Sequence, residues 1–285
     1  MDISSRERAA VLVQALPYIK KYAGKTVVVK YGGNAMIDQG LKDAVMSDIV
    51  LMQLVGINVV LVHGGGKHIT ALLDKLQVPT RFENGYRYTD QAVLETAEMA
   101  LSAQVNKAIV SRLSQLEVSA VGLSGKDGGL LTAVEKDPAL GRVGSITRVE
   151  PRILQTLLDG DFLPVVSPIA RSEEGGALNC NADDAARAVA EAVGADKLVF
   201  LTDVDGILMD SRNAKTAISS LTASEARELL DSGLIQGGMV PKLRSCVRAL
   251  ENGVSKVAVL DGRIDHVMLL DAVSGQTMGT TIRRN

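Results

Sequence analysis

The sequence predicts an α/β fold in which helices cover both faces of a mainly parallel β-sheet. Several runs, such as residues 26–33 and 58–66, are apolar at nearly every position, which suits strands buried on both faces. These runs alternate with stretches whose apolar residues recur at helical spacing. Strand and helix therefore alternate along the chain, the pattern typical of a parallel sheet sandwiched between helices.

The elements follow in chain order. An amphipathic N-terminal helix carries Pro17 inside its apolar stripe, which predicts a bend or an interruption there. The hairpin candidates are residues 130–136 and 141–149, which we expect to pair antiparallel at an edge of the sheet. Strands are predicted at residues 26–33, 58–66, 119–125, 162–170, 197–206 and 255–262, and helices at 41–54, 90–116 and 182–193.

At 285 residues the chain exceeds a typical single domain of ~100–200 residues, so one large domain or two lobes are expected. The best candidate for a boundary between lobes lies near Gly194, after the helix at 182–193. We therefore expect an N-terminal helix at residues 1–22, a first lobe at 23–194 and a second lobe at 195–285.

Composition argues against several classes of function. The chain has 31 basic and 33 acidic residues, and the basic residues form no run. It also has no tryptophan to stack on bases, and both features disfavour nucleic-acid binding. The sequence contains no apolar run of the ~18 residues that a membrane span needs. Cys180, Cys246 and the three histidines lack metal-ligand spacing, which is typical of a reduced, cytoplasmic chain without a structural metal.

A glycine triplet at residues 64–66 ends one predicted strand and opens a helix. It matches neither the G-x-G-x-x-G dinucleotide motif nor the P-loop motif. Free backbone amides and the dipole at a helix start favour an anion, and glycine lets a ligand approach the backbone closely. A tight turn needs only one glycine, so three in succession favour a ligand site.

Three cationic residues stand where strands end or helices begin. Lys30 ends a strand that is expected to be buried, although a lysine there can also extend to water. Arg87 lies in a loop, where most arginines are solvated. Lys242 follows Pro241, a residue suited to the first helical position, so its charge opposes the helix dipole by ~0.3–1 kcal/mol. An anion at the same place would explain that cost.

Two polar segments have simpler explanations. Asn181, Asp183 and Asp184 suit the start of a helix through capping and the dipole, but capping does not explain Asn179. The segment at residues 202–206 fits a simple turn after a buried strand.

Six motifs in order over residues 27–242 resemble the amino acid kinase family: VKYGGNAM, VHGGGKHI, NGYRYTD, LNCNADDAA, LTDVDGIL and GGMVPK. The resemblance implies an open αβα sandwich whose N-terminal lobe binds the acceptor and whose C-terminal lobe binds ATP. The motifs are most similar to those of members that phosphorylate the side-chain carboxylate of N-acetyl-L-glutamate, an early step of arginine biosynthesis.

The resemblance also implies roles for particular residues. Lys30 and Lys242 stabilise the transferring phosphoryl group, and Asp183 organises the two lysines. The implied substrate-binding residues are Gly64 and Gly65, through their backbone amides, Arg87, on the substrate α-carboxylate, and Asn179 and Asn181. The implied nucleotide-binding residues are Gly33, Thr202, Asp203, Gly206, Gly238 and Met239. Magnesium is expected to enter with ATP.

The N-terminal helix resembles that of arginine-inhibited members, in which it interlaces dimers into a ring. This implies a homohexamer, a trimer of dimers, with L-arginine as inhibitor and Tyr18, His266 and Gly279 in the inhibitor site. Asp271 departs from the pattern, because members often have glutamate at this position. The alternative is a helix that packs on its own lobe in a dimer.

The sequence also bears on several other functions. Aspartokinases and UMP kinases have different residues after the first lysine of the strand motif. A kinase that acts on an aminoadipate derivative stays an alternative, because its substrate differs from N-acetyl-L-glutamate only by one methylene or by a carrier protein. A Rossmann-type oxidoreductase is disfavoured by the missing glycine motif. A catalytically inactive sensor is disfavoured because both lysines and Asp183 are present.

Overall fold

The computed structural model describes residues 4–83, 85–209, 213, 216–235, 239–273 and 278–285. Its α-helices are α1 (Ser5–Tyr22), α2 (Gln39–Leu54), α3 (Gly66–Lys75), α4 (Gln91–Glu98), α5 (Asn106–Gln115), α6 (Arg152–Asp159), α7 (Ala182–Ala192), α8 (Ala223–Asp231), α9 (Met239–Glu251) and α10 (Val267–Val273). A π-helical segment, Met99–Val105, joins α4 to α5.

The strands in the first half of the chain are β1 (Thr26–Tyr31), β2 (Asn58–His63), β3 (Phe82–Glu83), β4 (Tyr86–Arg87), β5 (Ala120–Ser124), β6 (Leu131–Glu135) and β7 (Val143–Val149). Those in the second half are β8 (Leu163–Ser167), β9 (Ile169–Ser172), β10 (Ala177–Cys180), β11 (Lys197–Thr202), β12 (Ile207–Leu208), β13 (Ala217–Ile218), β14 (Ser220–Thr222), β15 (Lys256–Asp261) and β16 (Gly279–Arg283).

An eight-stranded sheet forms the centre of the fold, in the order β14-β16-β15-β11-β1-β2-β8-β5. Neighbouring strands are parallel except for the antiparallel pair β15 and β16. β1 pairs with β2 on one side and β11 on the other, and Lys30 lies opposite Val62 and Phe200. The predicted, mainly parallel sheet is therefore confirmed.

Apolar side chains pack on both faces of this sheet. Along β1, Val28 belongs to one core, whereas its neighbours Val27 and Val29 belong to the other. The first core includes residues of α7 and α9, and the second includes residues of α2 and α5. Burial on both faces explains why the strands are apolar at consecutive positions, and it gives the αβα sandwich.

A second, smaller sheet lies outside the central one. β6, β7, β9 and β10 close into a four-stranded barrel, in which β6 and β7 form the predicted antiparallel pair. The predicted place of this hairpin at an edge of the main sheet is wrong. The single strand expected at 162–170 is also wrong: β8 ends at Ser167 and β9 begins at Ile169, because Pro168 cannot donate a ladder hydrogen bond.

Helix α1 differs from the expectation at Pro17. Of the two predicted outcomes, a bend or an interruption, the interruption does not occur, because the helix continues through this residue, and the bend stays a prediction. The helix begins with a capping box between Ser4 and Glu7. None of its residues is buried, and Leu12 and Leu16 are 68% and 56% exposed. Within the described residues, no helix combines the length and hydropathy of a membrane span.

Candidate active site

Two lysines and one aspartate form the charged centre of the site. Lys30 lies near the carboxyl end of β1, Asp183 in the first turn of α7, and Lys242 in the first turn of α9. Lys30 Nζ lies 3.0 Å from Oδ1 of Asp183, and Lys242 Nζ lies 2.9 Å from Oδ2. The fold thus brings together the three residues to which the resemblance gives catalytic roles.

The charge of Asp183 is maintained by its partners. Burial raises the pKa of this carboxyl, but the positive charges of Lys30 and Lys242 outweigh burial and hold the pKa well below its ordinary value. The side chains of Lys30 and Lys242 remain 14% and 15% exposed, and that of Asp183 remains 25% exposed. The carboxylate therefore offsets repulsion between two ammonium groups that solvent still reaches.

Neighbouring residues limit where the two ammonium groups can lie. A Cβ added at Gly32 would come within 2.7 Å of Lys30 Nζ, so glycine leaves room for that side chain. Lys242 Nζ lies 5.5 Å from the centre of the Phe200 ring, within the range of a cation–π contact. The buried Phe200 belongs to β11, next to β1 in the sheet.

The glycine turn at residues 64–66 connects β2 to α3. The N–H of Gly64 donates to the carbonyl of Tyr31 at 2.8 Å, so this amide is already engaged. The N–H groups of Gly65 and Gly66 have no acceptor among the described residues. Gly65 is the N-cap of α3 without a side-chain cap. The amides without an acceptor among the described residues are therefore those of Gly65 and Gly66, and the expected role of the Gly64 amide stays a prediction.

A cleft of ≈ 430 Å³ opens beside this turn. This volume falls within the range of small-molecule sites, ~300–1,000 Å³. Its wall includes Ala182, the residue just before Asp183, and the predicted substrate residues Gly64, Gly65, Arg87, Asn179 and Asn181. All five predicted substrate residues thus border one cleft.

Arg87 is fixed in the wall of this cleft. Its Nη1 donates to Thr80 Oγ1 at 2.7 Å, and its Nη2 donates to Thr70 Oγ1 at 2.8 Å and to the Gly66 carbonyl at 3.1 Å. The guanidinium also lies 4.6 Å from the centre of the Phe82 ring. Burial lowers the pKa of Arg87 from its usual value, but an arginine stays charged in proteins. The side chain is thus a preorganised cation.

The two asparagines differ in their surroundings. Asn181 caps α7, since its Oδ1 accepts the N–H groups of Asp183 at 2.8 Å and Asp184 at 3.3 Å. Asn179 Nδ2 donates to Thr89 Oγ1 over 3.4 Å, a long hydrogen bond. The capping interpretation of Asn181 is correct, and both residues also border the cleft.

The predicted nucleotide residues flank the end of β11. Asp203 Oδ1 accepts the N–H of Asn34 at 2.7 Å, and a Cβ added at Gly33 would come within 2.6 Å of the same oxygen. Thr202 Oγ1 donates to the Val204 carbonyl at 2.9 Å, within the turn that the sequence allowed. Gly33 and Asp203 therefore connect the loop after β1 to the loop after β11.

The remaining nucleotide residues are placed as follows. Gly206 has a φ of 123°, and a Cβ there would come within 2.6 Å of Thr280 Oγ1, so only glycine fits. Met239 is buried at the start of α9. The helix thus begins two residues before Pro241, the predicted first position, and Lys242 remains in its first turn. Gly238 lies outside the described residues.

Sequence reasoning missed Lys67 and Asn34, which connect the cleft to the loop after β11. Lys67 borders the cleft beside the glycine turn, and its Nζ donates to Asn34 Oδ1 at 2.6 Å. Because Asn34 also donates to Asp203, the three residues span the space between α3 and β11. The available signal was Lys67 itself, a cation in the first turn of a helix, like Lys242.

The predicted inhibitor residues lie away from this cleft. His266 Nδ1 lies 2.7 Å from Oδ1 of the buried Asp48. Tyr18 is partly buried in α1, and Gly279 begins β16. A cavity of ≈ 30 Å³ lies close to these elements, and its described lining includes Tyr22 and Lys197 rather than the three predicted residues.

Comparison with known proteins gives the family. The sequence profile of the amino acid kinase family matches residues 25–261. The chain belongs to the amino acid kinase family. As a family member it is a kinase, which implies ATP as phosphoryl donor, and the sequence-based assignment to this family and fold is confirmed. The oxidoreductase alternative is thereby rejected.

Individual proteins show which members of the amino acid kinase family this chain is similar to. An acetylglutamate kinase of Caldanaerobacter subterraneus is 48% identical over 278 residues, which cover 96% of this chain and 93% of the relative. An N-acetylglutamate synthase from Neisseria gonorrhoeae, complexed with coenzyme A and N-acetyl-glutamate, superposes with a TM-score of 0.83 at 28% identity. The same synthase complexed with coenzyme A and L-arginine gives a TM-score of 0.79 at 26% identity.

The two synthase structures are longer than this amino acid kinase. They match 97% of this chain, which spans 63% and 65% of the synthase chains. The synthase likeness therefore covers the whole kinase fold and only part of each synthase chain.

Proposed function

We propose that this enzyme transfers the γ-phosphoryl group of ATP to the side-chain carboxylate of N-acetyl-L-glutamate, forming N-acetyl-L-glutamyl 5-phosphate for arginine biosynthesis. The observation that carries the proposal is Asp183 between Lys30 and Lys242, beside a cleft that Arg87 borders. The acetylglutamate kinase similar over 96% of this chain supports the choice of acceptor.

The reaction needs charge neutralisation more than proton transfer. An acceptor carboxylate with a pKa near ~4.3 is already ionised at neutral pH, so no general base is required. One of its oxygens forms a bond to the γ-phosphorus, and the bond to the β–γ bridging oxygen breaks with its electron pair leaving on ADP. Both reactants are anionic, so cations at the point of transfer lower the barrier.

Lys30 and Lys242 supply that charge. A unit positive charge attracts a unit negative charge at 4 Å by ~4 kcal/mol at an effective dielectric constant of 20. Asp183 holds both ammonium groups in place through its two oxygens. The free N–H groups of Gly65 and Gly66 add donors at the start of α3.

Arg87 is the proposed partner of the substrate α-carboxylate. Three of its five N–H groups donate to described residues, so the Nε–H and one hydrogen of Nη1 remain as separate donors beside the positive charge that attracts a carboxylate. Asn179 and Asn181 border the same cleft and can hydrogen-bond to the polar groups of the acceptor.

ATP is assigned to the loops that follow β1 and β11, with Gly33, Thr202, Asp203 and Gly206 on its side of the site. The proposed division is an acceptor lobe at residues 23–194 and a nucleotide lobe at 195–285, with Gly33 contributed to the nucleotide site by the loop after β1. The described residues contain no cluster of three metal-ligating side chains, so Mg²⁺ would bind through the ATP phosphates with Asp203 as a nearby carboxylate. When bound, Mg²⁺ would neutralise charge on the phosphates.

We also propose that α1 joins dimers into a hexamer and that L-arginine inhibits the enzyme. The exposed apolar side chains of α1 support the first proposal. The synthase that was solved with L-arginine supports the second. The cavity of ≈ 30 Å³ beside Tyr22 and Lys197 holds one or two waters at most, so an inhibitor there would require α1 or α10 to move.

The experiment that tests the main proposal is a coupled assay for ADP release with three acceptors. N-acetyl-L-glutamate should support turnover, whereas free L-glutamate and N-acetyl-L-2-aminoadipate should support at least tenfold lower kcat/KM. A Lys242→Met variant is the matched negative control, because it removes one of the two cations. Equal turnover of the aminoadipate derivative would assign the enzyme to the alternative acceptor.

A further inference from the structure

We propose that His63 is a positioning residue for phosphoryl transfer, one that aims the Gly65 N–H into the cleft by holding the carbonyl of Gly64. This inference rests on the proposed function, in which the amides of the glycine turn face the transferring group. His63 is the last residue of β2 and is fully buried, and no role proposed so far uses it.

The hydrogen bonds of Asn106 determine where the His63 proton lies. Asn106 Nδ2 lies 2.9 Å from the carbonyl of Val165 and 3.3 Å from that of Leu123, so it must be the donating amide nitrogen. The same nitrogen lies 3.1 Å from His63 Nε2. An amide nitrogen carries two hydrogens and cannot accept, so Nε2 accepts one hydrogen, the nearer Val165 carbonyl accepts the other, and Leu123 is the longest of the three contacts. In neutral histidine the proton is then on Nδ1, which lies 2.8 Å from the Gly64 carbonyl and donates to it.

The pinned carbonyl fixes the next amide. The carbonyl of Gly64 and the N–H of Gly65 belong to one planar trans peptide and point in opposite directions. Between two glycines this peptide plane would otherwise rotate at little steric cost. Because the Gly64 N–H also donates to Tyr31, the peptide planes on both sides of Gly64 are held.

The π-helical segment supports the turn from the other side. A Cβ added at Gly65 would come within 2.6 Å of Leu101 Cδ2 and 3.4 Å of Val105 Cγ2, both in this segment. Asn106 is the next residue along the chain. The π-helical segment thus supplies the packing against Gly65, and the residue that follows it supplies the amide that orients His63, consistent with the frequent occurrence of π-bulges at functional sites.

Burial keeps the ring in this state. Desolvation lowers the pKa of His63 to about 4, so the ring stays neutral near neutral pH. Asn106 presents its nitrogen to two backbone carbonyls and has no acceptor role toward His63. The tautomer therefore follows from the fold.

Two substitutions of His63 distinguish the role of Nδ1 from that of Nε2. Asparagine places its amide near the position of Nδ1, so His63→Asn keeps a donor for the Gly64 carbonyl. Glutamine reaches the position of Nε2, so His63→Gln keeps the contact with Asn106 and loses that donor. For folded protein, we expect kcat to fall about 100-fold in His63→Gln and at most about fivefold in His63→Asn, with smaller changes in KM. Thermal unfolding measures the folded state of each.

Equal losses of kcat in the two folded variants, or no loss in His63→Gln, would overturn the inference. A measurement on the unmodified enzyme does not depend on variant folding: ¹⁵N chemical shifts of the His63 ring should show a neutral Nδ1–H tautomer. A proton on Nε2, or on both nitrogens at pH 7, would also overturn it.

The same experiments separate this inference from the proposed function. If the unmodified enzyme does not phosphorylate N-acetyl-L-glutamate, the proposed function fails. The His63→Gln and His63→Asn variants are then compared by calorimetric titration with the non-hydrolysable ATP analogue AMP-PNP. Weaker binding by His63→Gln than by His63→Asn supports the positioning role, and equal binding rejects it.

Discussion

Asp183 and Lys242 are joined at 2.9 Å although 59 residues separate them in the chain. The contact connects the first turn of α7 to the first turn of α9, and Lys30 of β1 takes the other oxygen of the carboxylate. Helix starts favour anions, so Asp183 suits its own helix whereas Lys242 does not. Their pairing offsets the unfavourable position of the lysine.

Replacing Asp183 with asparagine should reduce turnover far more than stability. Two ammonium groups would then lie close together without a carboxylate, and we expect kcat to fall about 100-fold or more. The matched control is Asp184→Asn, since Asp184 shares the first turn of α7. Steady-state kinetics and thermal unfolding of both variants check this, and near-normal kcat in Asp183→Asn would refute the organising role.

Replacing Arg87 with lysine should weaken acceptor binding. Lysine keeps the charge but loses the planar fork that contacts Thr70, Thr80 and an incoming carboxylate together. We expect KM for N-acetyl-L-glutamate to rise about 10- to 100-fold, with kcat and KM for ATP changing less. Arg81→Lys is the control, because Arg81 is exposed and stacks on Tyr88. An unchanged acceptor KM would exclude this role of Arg87.

Replacing Lys67 with alanine should have a smaller effect. Its Nζ contacts Asn34, so the change removes a cation from the cleft and one link toward Asp203. Since the side chain is exposed, we expect KM for ATP or the acceptor to rise about fivefold and that rise to diminish at high salt. Lys75→Ala, at the other end of α3, should leave both KM values unchanged. Identical behaviour of the two variants would contradict the prediction.

The stability of the fold should depend on pH through His63. The folded state holds the pKa of His63 at about 4, below the ordinary ~6.5, so the unfolded state takes up a proton first as pH falls. This linkage should lower the free energy of unfolding by about 2 kcal/mol between pH 8 and pH 5.

Urea unfolding of the unmodified enzyme and of His63→Asn at both pH values isolates that contribution from other titrating groups. Asp48, for example, has a pKa raised by burial and acts in the opposite direction, but it is common to both proteins. Parallel pH dependence in the two proteins would show that His63 does not titrate as described.

Disrupting the apolar face of α1 should change the size of the assembly. Leu12→Glu together with Leu16→Glu places charges on two exposed positions one turn apart, and we expect the mass in solution to fall from a hexamer to a dimer. Removal of residues 1–22 should give the same result. Gln14→Glu, on an exposed position of the same helix, is the control. An unchanged mass after removal would reject the interlacing role and favour a helix that packs on its own lobe.

The parts of the fold that follow local rules could be predicted from sequence. β1, β2, β11 and β15 are apolar on consecutive positions because helices cover both faces, so their existence and parallel pairing followed directly. The closed barrel of β6, β7, β9 and β10 was not foreseen. Its strands all lie within residues 131–180, but the pairs that close it join β6 to β9 and β7 to β10 across β8, and no periodic pattern encodes those two pairings.

The residues of the candidate site, too, could be predicted only in part from the sequence. The ionic contacts of Asp183 join residues to which family motifs drew attention, and the structure adds their distances. Lys67 and Asn106 were missed, because their roles depend on contacts with Asn34 and His63 that only the folded chain creates. The occupied amide of Gly64 also depends on Tyr31, on a neighbouring strand.

The central position of β1 limits how this protein can be divided. β2 and β11 belong to different proposed lobes, and β1 hydrogen-bonds to both. A fragment beginning at residue 195 would leave one edge of β11 open, and its complement would leave the matching edge of β1 open. Such edges promote aggregation, so the separate halves should be insoluble and should associate when produced together. The two proposed lobes would therefore fold together as one unit.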